Sequence, residues 1–351
     1  MIDLRSDTVT KPTNKMREAM ASAVVGDDVV GEDPTTKELE DRIARLFQKE
    51  SGLFFPSGTM SNLSAILSWC NNRGSEIIVG DKSHIFLFEQ SGAAQFGGIS
   101  PRTVPNLPDG TMSLEDIRLA IRDEDIHEPT TKLICIENTH NVCGGKVIPI
   151  SFLQELKVLA DSQNIPIHLD GARIWNAAIA SNQPLYEIGQ YVDSISVCLS
   201  KGLGSPVGSV LVGTNPFITK ARRIRKALGG GMRQSGILAS AGLVSLDDYE
   251  TTEFMQHDHR NTQILADKMR ELSMFKLASK DEIHTNIIFA EITTAEPYNA
   301  LYISSLLREK GILVSVWAPF LIRIVIHRDI RDADIQYVIN TFNDISQIIQ
   351  Q

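Results

Sequence analysis

Short apolar segments alternate with helical segments over the first two thirds of the chain, and this rhythm constrains the fold most strongly. The segments with the length and composition of buried strands are GLFFP, EIIVG, LICIE, IPIHLD, SISVCLS and SVLVG. Helical spacing occurs between them, for example in SNLSAILSWC and SFLQELKVLADSQN. Strands that are apolar throughout and joined by helices predict βαβ units and a mostly parallel sheet covered on both faces.

After about Leu246 the pattern changes. A charged helical stretch leads into strands, a helix, paired strands and a final helix, an order that predicts a smaller α+β unit. No linker rich in proline, glycine or serine separates the two parts. We therefore expect a large domain with an N-terminal arm at residues 1–250 and a small C-terminal α+β domain at residues 251–351.

Charge and cysteine usage narrow the class of protein. The 351 residues include 34 Lys and Arg against 43 Asp and Glu, a net charge of −9, which argues against nucleic acid or an anionic membrane surface as partner. No apolar run approaches the roughly 18 residues of a spanning helix. The opening segment MIDLRSDTVT is unlike a secretory signal, and the four cysteines have no CxxC spacing. We expect a cytoplasmic enzyme without a metal centre.

Two strand ends carry residues suited to ligand binding. Gly58 and Thr59 lie at a strand-to-helix turn, where backbone N–H groups can approach an anion; an ordinary capped helix is the alternative. Asp170 ends an apolar strand, where it would face a positively charged heteroatom, and Arg173 could bind a carboxylate. A capping aspartate with a surface arginine is the alternative there.

Two further segments combine glycine with a basic residue. Lys201 directly follows the apolar strand SISVCL, where partial burial would favour the neutral amine that forms an imine; a solvated loop lysine is the alternative. The loop at residues 229–236 has four glycines around Arg233, which indicates an anion or subunit contact, or else a hinge. An anion cradle, an acid for a ring nitrogen and an imine lysine together are the requirements of pyridoxal 5'-phosphate.

At this point the sequence resembles the threonine aldolases, which are pyridoxal-phosphate enzymes. The segments that carry the resemblance are DLRSDTVTKP, GDDVVGEDPT, FFPSGTMSN, IENTHNVCGGKV, HLDGARIWNA, CLSKGLGSPVGS and GGGMRQSG. The resemblance implies the aspartate-aminotransferase-like fold (fold type I), with a mostly parallel seven-stranded sheet. It also implies cleavage of L-threonine or L-allo-threonine to glycine and acetaldehyde.

The resemblance also implies roles for individual residues. Lys201 matches the lysine that binds the cofactor, Asp170 the partner of its ring nitrogen and His84 the histidine that stacks on its ring. His140 matches a histidine near the substrate hydroxyl, and the base that deprotonates this hydroxyl could be His84, His140 or a bound water. The remaining predicted contacts are Gly58, Thr59 and Ser200 for the phosphate, and Ser6, Arg173 and Arg323 for the substrate carboxylate, with Arg173 also among the cofactor contacts.

The sequence departs from the family pattern at one position, and the resemblance also predicts how the chains assemble. Val30 stands where the family usually has a tyrosine near the site, so substrate preference could differ. The family implies a homotetramer, a dimer of dimers with sites at the dimer interface. The N-terminal arm and the loop at residues 229–236 would lie at that junction, where Lys226 and Arg233 could reach a neighbouring phosphate.

Two other functions compete with the aldolase hypothesis. Another reaction on the same cofactor, β-elimination or transamination of an amino acid, would use Lys201 and Asp170 equally well. A non-catalytic protein that retains the fold is the second alternative, which the intact set of Lys201, Asp170, Arg173 and Arg323 disfavours.

Overall fold

The computed structural model describes residues 1–277 and 283–350. The strands are β1 (Ile2–Asp3), β2 (Ser51–Phe55), β3 (Ser75–Gly80), β4 (Ser100–Val104), β5 (Thr130–Glu137), β6 (Ile167–Gly171), β7 (Ser194–Cys198), β8 (Ser209–Gly213), β9 (Phe275–Leu277), β10 (Ile287–Ile292), β11 (Ile312–Leu313), β12 (Ser315–Ala318) and β13 (Leu321–Val325). Part of the predicted small domain, residues 278–282 and 351, lies outside the described residues.

Helices connect most of these strands. They are α1 (Asn14–Ala21), α2 (Pro34–Leu46), α3 (Gly58–Trp69), α4 (His84–Leu87), α5 (Gly92–Gly97), α6 (Leu114–Ala120), α7 (Ile150–Ser162), α8 (Ile174–Ser181), α9 (Leu185–Gly189), α10 (Asn215–Ala227), α11 (Gly236–Thr251), α12 (Phe254–Arg270), α13 (Ala300–Glu309) and α14 (Asp332–Gln350). Short 3-10 turns occur at Asp7–Val9 and Asp28–Val30. No helix in the described ranges combines the length and the apolar character needed to cross a membrane.

The central sheet has the predicted seven strands in the order β2-β8-β7-β6-β5-β3-β4. Its neighbouring pairs are parallel except for those made by β8, which runs antiparallel to both β2 and β7. Every residue of β3, β6, β7 and β8 is buried, as expected of strands covered by helices on both faces. The prediction of an α/β fold with a mostly parallel sheet is confirmed.

The second unit is a four-stranded antiparallel sheet in the order β12-β13-β10-β9. Its hydrophobic core contains residues from Leu265 to Ile345, and it also contains Leu4 of the N-terminal arm. The arm strand β1 pairs in parallel with β11, so the arm packs on this unit. The two cores divide within α12, because Met255 packs in the first core and Leu265 in the second. A boundary at residue 250 stays a prediction.

Candidate active site

Five connecting segments meet at one edge of the central sheet. Strands β2, β3, β5, β6 and β7 all run in the same direction, so their carboxyl ends lie at the same edge. Ligands of open α/β sheets bind at this edge. The order of the strands therefore brings together residues that are up to about 140 positions apart in the sequence.

A cavity of about 280 Å³ opens at this edge. Six of the predicted site residues line it: Gly58, Thr59, His84, Asp170, Ser200 and Lys201. The residues that share the lining with them include Thr8, Ser57, Asn62, Glu89, Ser196 and Cys198. The lining thus combines an amine, carboxylates, an imidazole and several hydroxyl groups within one cavity.

The start of α3 forms one wall of the cavity. Ser57 caps the helix, because its hydroxyl accepts a hydrogen bond from the N–H of Met60 at 3.2 Å. Gly58 and Thr59 form the first turn, where N–H groups and the helix dipole favour an anion. This wall is suited to bind a phosphate.

Asp170 and His84 also line the cavity, and they come from different strands. Asp170 is buried near the end of β6, and its carboxylate accepts the N–H of Ala172 at 3.0 Å. His84 follows β3, and its backbone N–H donates to Glu137 at 2.7 Å. Side-chain atoms of His84, Glu89 and Asp170 lie within 4.8 Å of one another. Glu89 was not among the predicted residues.

Lys201 lies in the loop that joins β7 to β8. Its backbone carbonyl accepts hydrogen bonds from the Thr10 hydroxyl at 3.0 Å and from the N–H of Gly204 at 2.9 Å. Gly204 has φ +81°, a conformation that glycine adopts without strain. The N-terminal arm and the loop glycine therefore fix the backbone of Lys201 at the edge of the cavity.

Arg173 and Arg323 lie together beside the cavity, outside its lining. Arg173 forms a two-pronged ion pair with Asp7, with both N···O distances at 2.7 Å. Arg323, on β13, donates to the amide oxygen of Asn141 at 3.0 Å, and Arg173 approaches the same oxygen at 3.4 Å. Burial and the charge of Arg173 lower the pKa of Arg323 to about 10. Ser6 caps the 3-10 turn that holds Asp7.

We expect Asp7→Asn to lower the free energy of unfolding by about 3 to 5 kcal/mol, because the buried Arg173 guanidinium loses its counter-ion. Burial alone would raise the pKa of Asp7, but the charge and hydrogen bonds of Arg173 lower it from 3.8 to about 2. The ionised carboxylate therefore stabilises fully above about pH 4, and this contribution is lost as the pH falls towards 2. Urea unfolding of both proteins at several pH values measures the difference, and equal stabilities at pH 7 would contradict it.

The structure separates His140 from the cavity. His140 is buried; its Nδ1 accepts the N–H of Cys143 at 3.3 Å, and its ring lines a different, much smaller cavity. Val30 is 65% exposed on its 3-10 turn. Arg233 pairs with Asp27 of the same chain at 2.6 Å. The predicted roles of His140 and Arg233 stay predictions.

A family model for beta-eliminating lyases matches residues 3–294 of the chain. A low-specificity L-threonine aldolase of Arabidopsis thaliana is 44% identical over 100% of this chain and 98% of its own length. The low specificity L-threonine aldolase of Escherichia coli is 45% identical over 94% of this chain and 95% of its own. The chain belongs to the threonine aldolase family of the beta-eliminating lyases.

The fold of this chain is also found in a solved structure. The threonine aldolase of Leishmania major superposes with a TM-score of 0.83, covering 99% of this chain and 100% of its own, at 20% sequence identity. The predicted fold type I is thereby confirmed. Asp7, Asn141 and Glu89 are residues at the site that the sequence did not reveal, although Asp7 lies in the family segment DLRSDTVTKP and Asn141 in the family segment IENTHNVCGGKV.

Proposed function

We propose that this protein cleaves L-threonine and L-allo-threonine to glycine and acetaldehyde with pyridoxal 5'-phosphate as cofactor. The observation that carries the proposal is the single cavity lined by Lys201, Asp170, His84 and the start of α3. Membership of the threonine aldolase family supports the choice of reaction.

The residues around the cavity fit pyridoxal phosphate by their chemistry. The first turn of α3, with Gly58 and Thr59, and the hydroxyl of Ser200 suit a phosphate. The Asp170 carboxylate suits a protonated ring nitrogen, and the Lys201 amine suits an aldehyde carbon. A helix start, a carboxylate and an amine within one cavity are the three requirements of this cofactor.

When bound, pyridoxal phosphate supplies an electron sink for the pair of electrons released from the broken Cα–Cβ bond. Asp170 keeps a proton on the ring nitrogen by its negative charge, which favours that sink. His84 offers a flat ring to cover the cofactor. Lys201 would hold the cofactor through its side-chain amine at the edge of the cavity. His84, His140 or a bound water removes the proton of the β-hydroxyl.

The substrate carboxylate is bound, in this proposal, by Arg173 and Arg323. Their guanidinium groups converge on the amide oxygen of Asn141, so the two cations lie close enough to share one anionic ligand. Arg323 also stacks over Trp317, with its guanidinium carbon 4.7 Å from the ring centroid, which fixes its orientation. A carboxylate held by two arginines turns the Cα–Cβ bond to a defined angle, and this angle decides which bond breaks.

We expect Asn141→Asp to raise KM for L-threonine at least about tenfold, while kcat changes less. The new carboxylate would face the same two guanidinium groups as the substrate and would compete with it. Steady-state kinetics of Asn141→Asp and of the uncharged control Asn141→Ala measure the effect. An Asn141→Asp enzyme with the KM of Asn141→Ala would contradict the two-arginine carboxylate site.

We further infer a cytoplasmic homotetramer, a dimer of dimers with a second chain beside each cavity. Exposed apolar side chains adjacent to His84 support this, because Phe86, Leu87 and Phe88 are between 38% and 50% exposed. Four free cysteines, Cys70, Cys135, Cys143 and Cys198, suit a reducing compartment. Sedimentation of the purified protein tests the assembly.

Product analysis tests the reaction itself. The cofactor-loaded protein is incubated with L-threonine and with L-allo-threonine, and acetaldehyde, glycine, ammonia and oxo acids are quantified. Acetaldehyde and glycine in equal amounts are the expected products. Ammonia with an oxo acid as the only products would instead indicate β-elimination.

A further inference from the structure

A continuous chain of hydrogen bonds, buried or partly buried, runs from Trp69 at the C-terminal end of α3 to the imidazole of His84. Trp69 Nε1 lies 2.9 Å from Ser194 Oγ, which lies 2.9 Å from His168 Nδ1. On the other side of the ring, His168 Nε2 lies 3.1 Å from Asn62 Oδ1. Asn62 Nδ2 lies 2.9 Å from Glu89 Oε1, and the same oxygen lies 3.0 Å from His84 Nδ1. The last three members, Asn62, Glu89 and His84, line the cavity.

The donors and acceptors of this chain leave one consistent arrangement. Burial lowers the pKa of His168 to about 4, so its ring is neutral and has one donor and one acceptor nitrogen. The amide oxygen of Asn62 only accepts, so the Nε2 that it faces carries the ring proton of His168, and Nδ1 accepts from the Ser194 hydroxyl, which itself accepts from the indole N–H of Trp69. His168 Nε2–H then donates to the amide oxygen of Asn62, and the chain has a fixed direction.

The fixed direction determines what Glu89 can do. With its oxygen occupied by His168, Asn62 must use its NH₂ group towards Glu89, so Oε1 of Glu89 accepts there. The same oxygen lies 3.0 Å from Nδ1 of His84. Burial raises the pKa of the Glu89 carboxyl, whereas the hydrogen bonds to His84 and Asn62 act to lower it. An oxygen that already accepts from Asn62 is placed to accept from the second nitrogen as well. His84 therefore carries a proton on Nδ1 and donates it to Glu89.

We infer that Glu89, a residue with no role assigned above, is the positioning residue of His84: it fixes the Nδ1–H tautomer and directs Nε2 to the reaction. Two contacts hold His84, its Nδ1 on Glu89 and its backbone N–H on Glu137. Among the described residues, the structure gives Nε2 no hydrogen-bond partner. A neutral ring held in this way presents Nε2 as a proton acceptor, the same arrangement by which carboxylates orient catalytic histidines.

The charges around His84 determine the direction of the expected pH effect. Burial lowers the pKa of His84, but the hydrogen bond to Glu89 and the charges of Asp170 and Glu89 outweigh it, and the net pKa is raised; Lys201 opposes them. Glu137, which faces the backbone, is the other charged group in contact. Glu89→Gln keeps the shape and an acceptor oxygen but removes one of the charges that raise the pKa.

The inference rests on the proposed aldolase function for its kinetic test, and a spectroscopic test is independent of that function. In the holoenzyme, Glu89→Gln should move the acid limb of the kcat/KM profile for L-threonine to lower pH by about one unit. The NMR titration of ¹⁵N-labelled His84 should shift in the same direction. The matched control is Glu76→Gln, a buried carboxylate at the other end of β3 that binds Arg122, and it should shift neither curve.

Two results would overturn the inference. One is a His84 titration that is the same in Glu89→Gln and in the unaltered protein. The other, available even when the variant does not fold, is a neutral His84 of the unaltered protein that carries its proton on Nε2. A protein without aldolase activity in which His84 titrates as expected would overturn the proposed function and leave the role of Glu89 supported.

Discussion

Replacing Lys201 with alanine is expected to lower kcat for threonine cleavage by at least about three orders of magnitude and to remove the visible absorbance of the bound cofactor. Lys201 is the one lysine in the lining of the cavity, among the residues that the structure describes. Its backbone is held by Thr10 and Gly204, so the substitution removes the amine without releasing the loop.

Two control variants distinguish the loss of the Lys201 amine from the loss of its positive charge. Lys201→Arg retains a cation at the same position but has no nucleophilic amine, so it should be as inactive as Lys201→Ala. Lys157→Ala removes a lysine that pairs with Asp161 on the surface of α7, and it should leave both the absorbance and kcat unchanged. A Lys201→Ala protein with the activity of the Lys157→Ala control would contradict the assignment.

Replacing Asp170 with asparagine is expected to lower kcat by about a hundredfold or more, with a smaller effect on KM. A neutral amide cannot keep a proton on the ring nitrogen of the cofactor by its charge, so the electron sink is weakened. Asp170 is buried at the cavity, where a charge is poorly screened and its loss has a large effect.

The matched control for Asp170 is Asp193→Asn. Asp193 accepts the N–H of Ile167 at 2.8 Å, at the opposite end of the same strand β6, and does not line the cavity. We expect Asp193→Asn to lower the free energy of unfolding and to leave kcat unchanged. Steady-state kinetics and cofactor titration measure both variants, and equal kcat values for the two would contradict the role of Asp170.

The order of strands made much of the site predictable. Asp170 lies near the end of an apolar strand, and Lys201 and His84 each follow one, and the composition of these strands is visible in the sequence. Parallel strands place their carboxyl ends at one edge of the sheet, so residues at these ends must converge. The same reasoning accounts for Gly58 and Thr59 after β2, which runs in the same direction as β7.

Asp7, Asn141 and Glu89, which the sequence did not reveal, each have a partner that is distant in the chain. Asp7 and Arg173 form their ion pair across 166 positions, and no spacing rule connects them. Asn141 accepts a hydrogen bond from Arg323, which lies in the four-stranded sheet, and this contact makes Asn141 part of the site. Glu89 lies five residues after His84, but its contact with Asn62 depends on how α3 packs.

His140 shows what a motif leaves open. It lies four positions before Gly144, within the segment that resembles the family, and the residue type suits a base. In the fold its Nδ1 accepts the N–H of Cys143, its side chain is buried, and it is not part of the cavity lining, so its role stays a prediction. A motif gives the residue type at a position, whereas the direction of a side chain depends on the local turn.

Borohydride reduction of the holoenzyme, followed by peptide mapping, tests the central claim most directly, because it locates the bond between protein and cofactor. Reduction makes this bond permanent, and mass spectrometry then identifies the lysine that carries the added pyridoxyl phosphate. We expect one modified residue per chain, Lys201. A modification at another lysine, or a protein that binds the cofactor without a reducible bond, would contradict it.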